Sequence, residues 1–159
     1  MGVLDRLSRF VAGSETVARR AAIAALSQSY VECTQRARRL LSHAELAPHE
    51  FSAQALKELA AADDAQAARL RDALRAAEAE VPTVADPAPL PGALNLWGRL
   101  VQDLEAHRTA TQRLRELAGH FAESLPTTAT LFDELRHEES MHAERLRSLI
   151  ARADPQALD

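Results

Sequence analysis

The sequence predicts an all-α fold, a bundle of four long helices in which one long connection joins the second helix to the third. Hydrophobic residues make up 47% of the 159 residues, but aromatic residues make up only 4%. Because alanine and leucine dominate the apolar set, the composition favours helices over strands. Apolar residues recur at the helical period in four segments, which span roughly residues 15–44, 49–79, 93–123 and 129–152.

The connections between these helices predict their topology. Pro48 and Pro126 mark two short breaks, whereas residues 81–92, VPTVADPAPLPG, contain four prolines and cannot be helical. Short, long and short connections are typical of a four-helix bundle with one crossover at its middle. Residues 1–13 predict a short extra helix that ends near Gly13. We therefore expect one helical-bundle domain over residues 1–159.

Composition and charge exclude several classes of function. The formal net charge is −4, and no basic stripe with interleaved aromatic residues is present, so we expect no nucleic-acid partner. No apolar run approaches the length of a membrane span, and the N-terminus lacks the apolar core of a signal peptide. Cys33 is the only cysteine, which excludes an internal disulfide and favours a cytoplasmic setting.

Two ionisable residues of the fourth helix fall on its apolar face. Glu139 and His142 share one stripe with Leu135 and Leu146 at about 100° per residue. Ionisable groups inside a bundle are costly unless something pairs with them. A di-metal site in a bundle takes one Glu from each of two helices and a Glu-x-x-His pair from each of the other two. Glu139 and His142 have this spacing; a polar pair satisfied by other side chains is the alternative.

The other helices contain further candidates for such a site. Asp63 lies at the centre of the apolar stripe of the second helix, and Gln66 follows three residues later. Glu105 flanks the apolar face predicted for the third helix, with Arg108 closer to the centre of that face. Glu32 is the candidate from the first helix, although it projects about 120° away from the apolar stripe. His43 and His107 are expected to be solvated or to cap helices.

Taken together, these residues resemble the ferritin-like superfamily, particularly rubrerythrin-type di-iron domains. The resemblance rests on Glu32, on D63-D-A-Q66, on Glu105 and on E139-S-M-H142, which occur in the family's order, one set per helix. It covers roughly residues 15–152. The departures are Asp63 and Gln66, which stand where the family has Glu and His. The resemblance implies a ferritin-like four-helix bundle with a partly degraded di-metal site.

The resemblance also implies a function. Members of this superfamily bind two iron or manganese ions and either react with dioxygen or peroxide or store iron. Carried over, Glu139 and Asp63 would bridge the two ions. His142 and Glu105 would complete one metal position, and Gln66 and Glu32 would complete the other. The expected chemistry is oxidation of bound ferrous ion or reduction of peroxide, which would make the protein a di-iron oxidoreductase.

Two other interpretations remain open at this point. In the first, the bundle is free of metal and acts as a structural or protein-interaction module, with Arg108 supplying the positive charge of the missing ion and Arg36 contributing from the first helix. In the second, a plain helical bundle dimerises through its Arg-rich and Ala-rich faces. A homodimer is expected in either the metal-bound or the metal-free case.

Overall fold

The computed structural model describes the backbone of residues 3–88 and 95–153 and the side chains of residues 15–88 and 95–153. It contains four helices: α1 (Val3–Glu45), α2 (Glu50–Ala76), α3 (Leu96–Phe121) and α4 (Pro126–Ala153). The described residues include no strand, as predicted. No helix in the described ranges is long and apolar enough to cross a membrane.

Helix boundaries differ from the predicted ones at two places. Helix α1 runs without a break through Gly13 and Ser14, so the predicted separate helix over residues 1–13 is part of α1. Helix α4 begins at Pro126 rather than at residue 129, because proline suits the first helical turn, where its missing N–H has no partner to lose. Residues 81–88 of the predicted crossover are not helical, and residues 89–92 lie outside the described ranges.

The ion pairs between helices define the directions of the helices. Glu32 pairs with Arg113 and His43 with Asp103, so α1 and α3 are antiparallel. Glu58 pairs with Arg145 and Arg69 with Glu134, which makes α2 and α4 antiparallel as well. Arg19 donates to the Ala77 carbonyl and Cys33 to the Asp63 carbonyl, so α1 and α2 are antiparallel too. Helix α2 therefore runs in the same direction as α3.

The connection between α2 and α3 must accordingly travel the length of the bundle. Arg38 in α1 holds it on the way, because Nη1 donates to the Val84 carbonyl at 2.9 Å and to Asp86 Oδ1 at 3.0 Å. This is the crossover topology that the four prolines predict.

A left-handed backbone position ends α2. Ala79 N–H donates to the Leu74 carbonyl and Glu78 N–H to the Arg75 carbonyl, each at 2.9 Å. This is the Schellman arrangement, in which the residue after the helix takes a left-handed conformation and is usually glycine. Here that residue is Glu78, with φ of 57°.

We expect Glu78→Gly to raise the free energy of unfolding by about 1 kcal/mol, because glycine adopts this backbone conformation without a Cβ clash. Urea unfolding of the two proteins measures the difference. The control is Glu80→Gly, at an exposed residue where φ is not positive, and it should be neutral or destabilising. A loss of stability in Glu78→Gly would show that the exposed pair with Arg19, at 3.7 Å, matters more than the backbone.

The core divides into two apolar clusters along the bundle axis. One lies toward the end where α1 begins, and the other lies toward the end where α1 meets α2. The first contains, among others, Ala22, Leu26, Cys33, Leu70, Leu74, Leu114, Phe121, Phe132 and Leu135. The second contains, among others, Leu40, Leu56, Leu59, Leu100, Leu104, Leu146 and Leu149. Between these clusters lies a layer of polar side chains.

Candidate metal centre

All four helices contribute to this polar layer. We use the name "polar layer" for Arg36 of α1, Asp63 and Gln66 of α2, His107 of α3, and Glu139 and His142 of α4. Asp63 and Glu139 are 0% exposed and His107 is 1% exposed. Two carboxylates buried to this degree require positive charge or hydrogen-bond donors nearby.

Glu139 has a donor on each of its carboxylate oxygens. Arg36 Nη2 donates to Oε1 at 2.8 Å, and His107 Nδ1 lies 2.6 Å from Oε2. Burial alone would raise the pKa of Glu139, but the charge of Arg36 and the hydrogen bond from His107 outweigh it. The pKa of Glu139 therefore lies below its usual range.

Arg36 connects the two carboxylates. Besides its bond to Glu139, its Nε lies 3.5 Å from Asp63 Oδ2. Burial opposes a charged guanidinium, yet Glu139 and Asp63 raise the pKa of Arg36 above its ordinary value. Arg36 is thus a fixed cation inside the bundle.

Asp63 and the two imidazoles face each other with polar atoms that have no hydrogen-bond partner. Asp63 Oδ1 lies 3.2 Å from His142 Nδ1, and Asp63 Oδ2 lies 3.9 Å from His107 Nε2. All four atoms are buried and none makes a hydrogen bond. Buried polar atoms in native proteins almost always have a partner, so four such converging atoms fit either a shared cation or a proton on one of the imidazoles.

The spacing of these atoms suits a metal ion. One ligand atom from each of Asp63, His107, Glu139 and His142 lies within 4.8 Å of the others. Histidine and carboxylate ligands bind at about 2.0–2.2 Å, which puts neighbouring ligand atoms about 3 Å or slightly more apart. The four residues are therefore close enough together to form a candidate ligand set for one ion.

Glu139 also determines which nitrogen of His107 is free. Because Nδ1 bonds to Glu139, Nε2 is the ring nitrogen that faces Asp63. A metal-binding histidine typically donates its other ring N–H to a carboxylate in this way, which fixes the tautomer and the ring orientation.

The structure places the sequence-predicted residues in two groups. Asp63, Gln66, Glu139 and His142 lie in the polar layer. Gln66 is buried, but its Oε1 lies 3.7 Å from Cys33 Sγ, and it is not among the converging ligand atoms. Cys33 itself donates to the Asp63 carbonyl at 3.1 Å, and burial raises the pKa of this thiol.

Glu32, Glu105 and Arg108 lie outside the polar layer, contrary to expectation. The Glu32 side chain is 39% exposed and pairs with Arg113. The Glu105 side chain is 71% exposed, and its nearest cation is Arg108 at 3.8 Å. The arginine beside the buried carboxylates is Arg36 of α1, and Arg108 is itself on the surface.

His107 is the site residue that the sequence analysis missed. We expected it to be solvated because it lies off the predicted apolar stripe of α3, which runs from Trp97 through Val101 to Thr111. Trp97 and Val101 are in fact 41% and 36% exposed. The buried face instead follows Leu100, Leu104, His107, Ala110 and Leu114.

Because the buried face of α3 was assigned wrongly, a second polar contact on that face was also missed. His43, also expected to be solvated, is buried, and its Nδ1 lies 2.6 Å from Oδ2 of the buried Asp103. On α1 His43 lies about two helical turns from Arg36, and on α3 Asp103 lies about one turn from His107. Polar residues had interrupted the apolar stripe of α3 at two positions, Asp103 and His107.

The lowered pKa of Glu139 predicts a pH dependence of stability in the metal-free protein. A depressed carboxyl pKa contributes stability above the unfolded-state value, 4.5 for Glu, and this contribution is lost as the pH falls through the folded-state pKa. Urea unfolding between pH 6 and pH 3 should show this loss, and Glu139→Gln should reduce it.

The control for this prediction is Glu123→Gln, at an exposed glutamate of the turn before α4. Surface pairs leave a residual slope in every variant, because hydrogen bonds from Arg145 and Arg136 lower the pKa of Glu58 and Asp133. Equal slopes in wild type and Glu139→Gln would contradict the assignment to Glu139.

Comparison with known proteins identifies the fold. No protein-family model and no curated protein matches the sequence. Among solved structures, a dodecameric thioferritin from Bacteroides fragilis, described as bacterioferritin-related, superposes with a TM-score of 0.75 at 19% identity, covering 89% of this chain and 92% of that one. A mycobacterial bacterioferritin superposes with a TM-score of 0.76 at 14% identity, covering 87% and 89%. The Mycobacterium tuberculosis bacterioferritin gives 0.74 at 14% identity, covering 86% and 90%.

These likenesses confirm the predicted fold class. The chain forms a ferritin-like four-helix bundle. Sequence identities of 14–19% support a shared fold and nothing further. The chemistry of the polar layer therefore depends on this chain's own residues.

Proposed function

We propose that this protein binds one divalent metal ion in the polar layer, with Asp63, His107 and His142 as ligands. The observation that carries the proposal is the convergence of four buried atoms without hydrogen-bond partners, Asp63 Oδ1 and Oδ2, His107 Nε2 and His142 Nδ1. A cation among them would satisfy all four. Glu139 lies close enough to serve as a further ligand.

Two imidazoles and one carboxylate are the ligand set of non-haem iron sites that keep open positions. We therefore propose ferrous iron as the natural ion, with manganese as the second choice. When bound, iron would supply one-electron chemistry toward dioxygen or peroxide, which is the reaction class that the sequence predicts.

The chain's own residues prepare this site. Asp63 supplies negative charge, and Glu139 orients His107 through its Nδ1–H. Arg36 balances the charge of Glu139 and keeps it ionised. The apolar clusters on both sides limit the access of water, which strengthens each of these electrostatic interactions.

One ion fits the charge of the layer better than two. With neutral histidines, two carboxylates and one guanidinium leave a single net negative charge. One divalent ion reverses it to a single positive charge, and a second would leave three positive charges in a buried layer. Arg36 thus occupies the electrostatic role of a second ion, and we propose a mononuclear centre in place of the expected rubrerythrin-type di-metal centre.

The second candidate is the metal-free bundle. Its support is the network of Arg36, Glu139 and His107, whose hydrogen bonds already neutralise one carboxylate without a metal. In that case a protonated His142 or His107 would serve Asp63. The expected homodimer and the cytoplasmic location stay predictions in both cases.

Metal content after anaerobic reconstitution with ferrous ion tests the proposal. We expect about one iron per chain in the wild type, measured by elemental mass spectrometry after gel filtration, and almost none in Asp63→Asn. The matched control is Asp64→Asn, at the exposed neighbour, which should bind as the wild type does. Two irons per chain would contradict the role of Arg36, and none would favour the metal-free bundle.

A further inference from the structure

A groove of about 440 Å³ lies between α1 and α3 on the outside of the bundle. We call it the α1–α3 groove. Three arginines and two glutamates line it, namely Arg36, Arg39, Arg113, Glu32 and Glu105. Its volume lies within the range of about 300–1,000 Å³ that is typical of small-molecule sites.

The charges in the groove are unequally paired. Arg113 pairs with Glu32, and Arg36 pairs with Glu139. Arg39 has no acidic partner within the part of the chain that the structure describes, and its Nε is buried without a hydrogen bond. A guanidinium in this situation is a donor fork for a carboxylate or a phosphate.

Arg36 connects the groove to the polar layer. Its side chain lines the groove, while its Nη2 donates to Glu139 Oε1. A molecule in the groove therefore lies one side chain away from the proposed metal ligands. Because one divalent ion would make the polar layer net positive, an anion in the groove would be attracted more strongly once the ion is bound.

We propose that the α1–α3 groove binds a small organic anion with a carboxylate or phosphate group, held by Arg39 next to the metal site. Such an anion is the class of substrate or co-substrate that this site would take. The binding of the anion stands independently, whereas its role as a substrate rests on the proposed metal function.

Isothermal titration with succinate and, separately, with inorganic sulfate tests the groove. Both the metal-free protein and the manganese-loaded protein are titrated, since manganese is stable in air. Hydrogen bonds between ions contribute about 1.5–3 kcal/mol each, so Arg39→Gln should weaken binding about ten-fold or more. Arg39→Lys retains the charge without the fork and should fall in between.

The matched control is Arg115→Gln, an exposed arginine of α3 that does not line the groove, and it should bind as the wild type does. Succinate binding that Arg39→Gln weakens supports an organic anion. Sulfate binding of equal strength points instead to a site for inorganic anions and would overturn the organic ligand. Binding that is absent, or equal in wild type and Arg39→Gln, would overturn the site.

The two forms of the protein separate this inference from the metal proposal. Binding that depends on Arg39 in the metal-free protein supports the groove site even if no metal loads. Tighter binding after loading, by about five-fold or more, supports the proximity of the anion to the metal. Equal affinity in a protein shown to contain metal would overturn that proximity.

Discussion

Replacing Arg36 with methionine is expected to lower the free energy of unfolding of the metal-free protein by about 3–5 kcal/mol. Methionine keeps the unbranched apolar stem but removes the only arginine or lysine within 4 Å of both Glu139 and Asp63 in the described chain. Two fully buried carboxylates would then rely on His107 and His142 for compensation. For a chain of this size, the loss corresponds to a fall in Tm of about 6–20 °C.

The same variant should respond differently to metal. A divalent ion restores positive charge next to Asp63 and stabilises the folded state by mass action. Saturating Mn²⁺ should therefore raise the free energy of unfolding more in Arg36→Met than in wild type. Urea unfolding with and without Mn²⁺ measures both quantities. The control is Arg38→Met on the same helix, whose exposed ion pair with Asp86 and hydrogen bond to the Val84 carbonyl should together contribute about 2 kcal/mol at most.

Three results are informative here. A large loss that metal reverses supports Arg36 as the substitute for a second ion. A large loss that metal leaves unchanged would favour the metal-free network of Arg36, Glu139 and His107. A loss as small as that of Arg38→Met would contradict the importance of the buried pair.

His107→Gln should weaken metal binding strongly and Glu105→Gln should leave it unchanged, although these residues are only two positions apart. Losing the partner that orients a metal ligand typically costs about 10–100-fold in affinity, so losing His107 itself should cost at least about 100-fold. Glu105→Gln should leave the affinity unchanged because its side chain is exposed. Competition with a chelator of known affinity measures both constants, and thermal unfolding confirms that each variant folds.

This pair of variants separates the structure from the sequence analysis. The sequence analysis placed Glu105 at the metal and His107 in solvent, whereas the structure buries His107 in the polar layer and exposes Glu105. A loss of binding in Glu105→Gln with no effect in His107→Gln would mean that α3 has the register that the sequence analysis assigned to it.

The helices differ in how well their inward-facing polar residues could be predicted from the sequence. In α2 and α4 the leucine stripe is continuous on both sides of Asp63 and Glu139, so an inward polar residue is conspicuous and was predicted correctly. In α3 two inward positions, Asp103 and His107, are themselves polar. The remaining apolar residues, with Trp97 and Val101 among them, then define a face that is rotated by roughly 50°, about half of the angle between neighbouring residues.

The central place of Arg36 in the polar layer could not be predicted from the sequence for a different reason. The Arg36 Cα lies beside the apolar stripe of α1, and the length of its side chain carries the guanidinium to Glu139 and Asp63, while the residue also lines the α1–α3 groove. Periodicity locates backbone positions, but long side chains reach two environments at once. The crossover was predictable because four prolines exclude helix at that place, and this holds whatever the tertiary packing.

The polar layer has a consequence for the order of folding. Helices α1 and α2 pack chiefly on each other, as do α3 and α4, so each half can form through contacts that are local in sequence, which is a fast process. Arg36 and Asp63 belong to the first half, whereas His107, Glu139 and His142 belong to the second. The ligand set is therefore complete only after the two halves dock. A bound ion would connect the halves and slow their separation during unfolding.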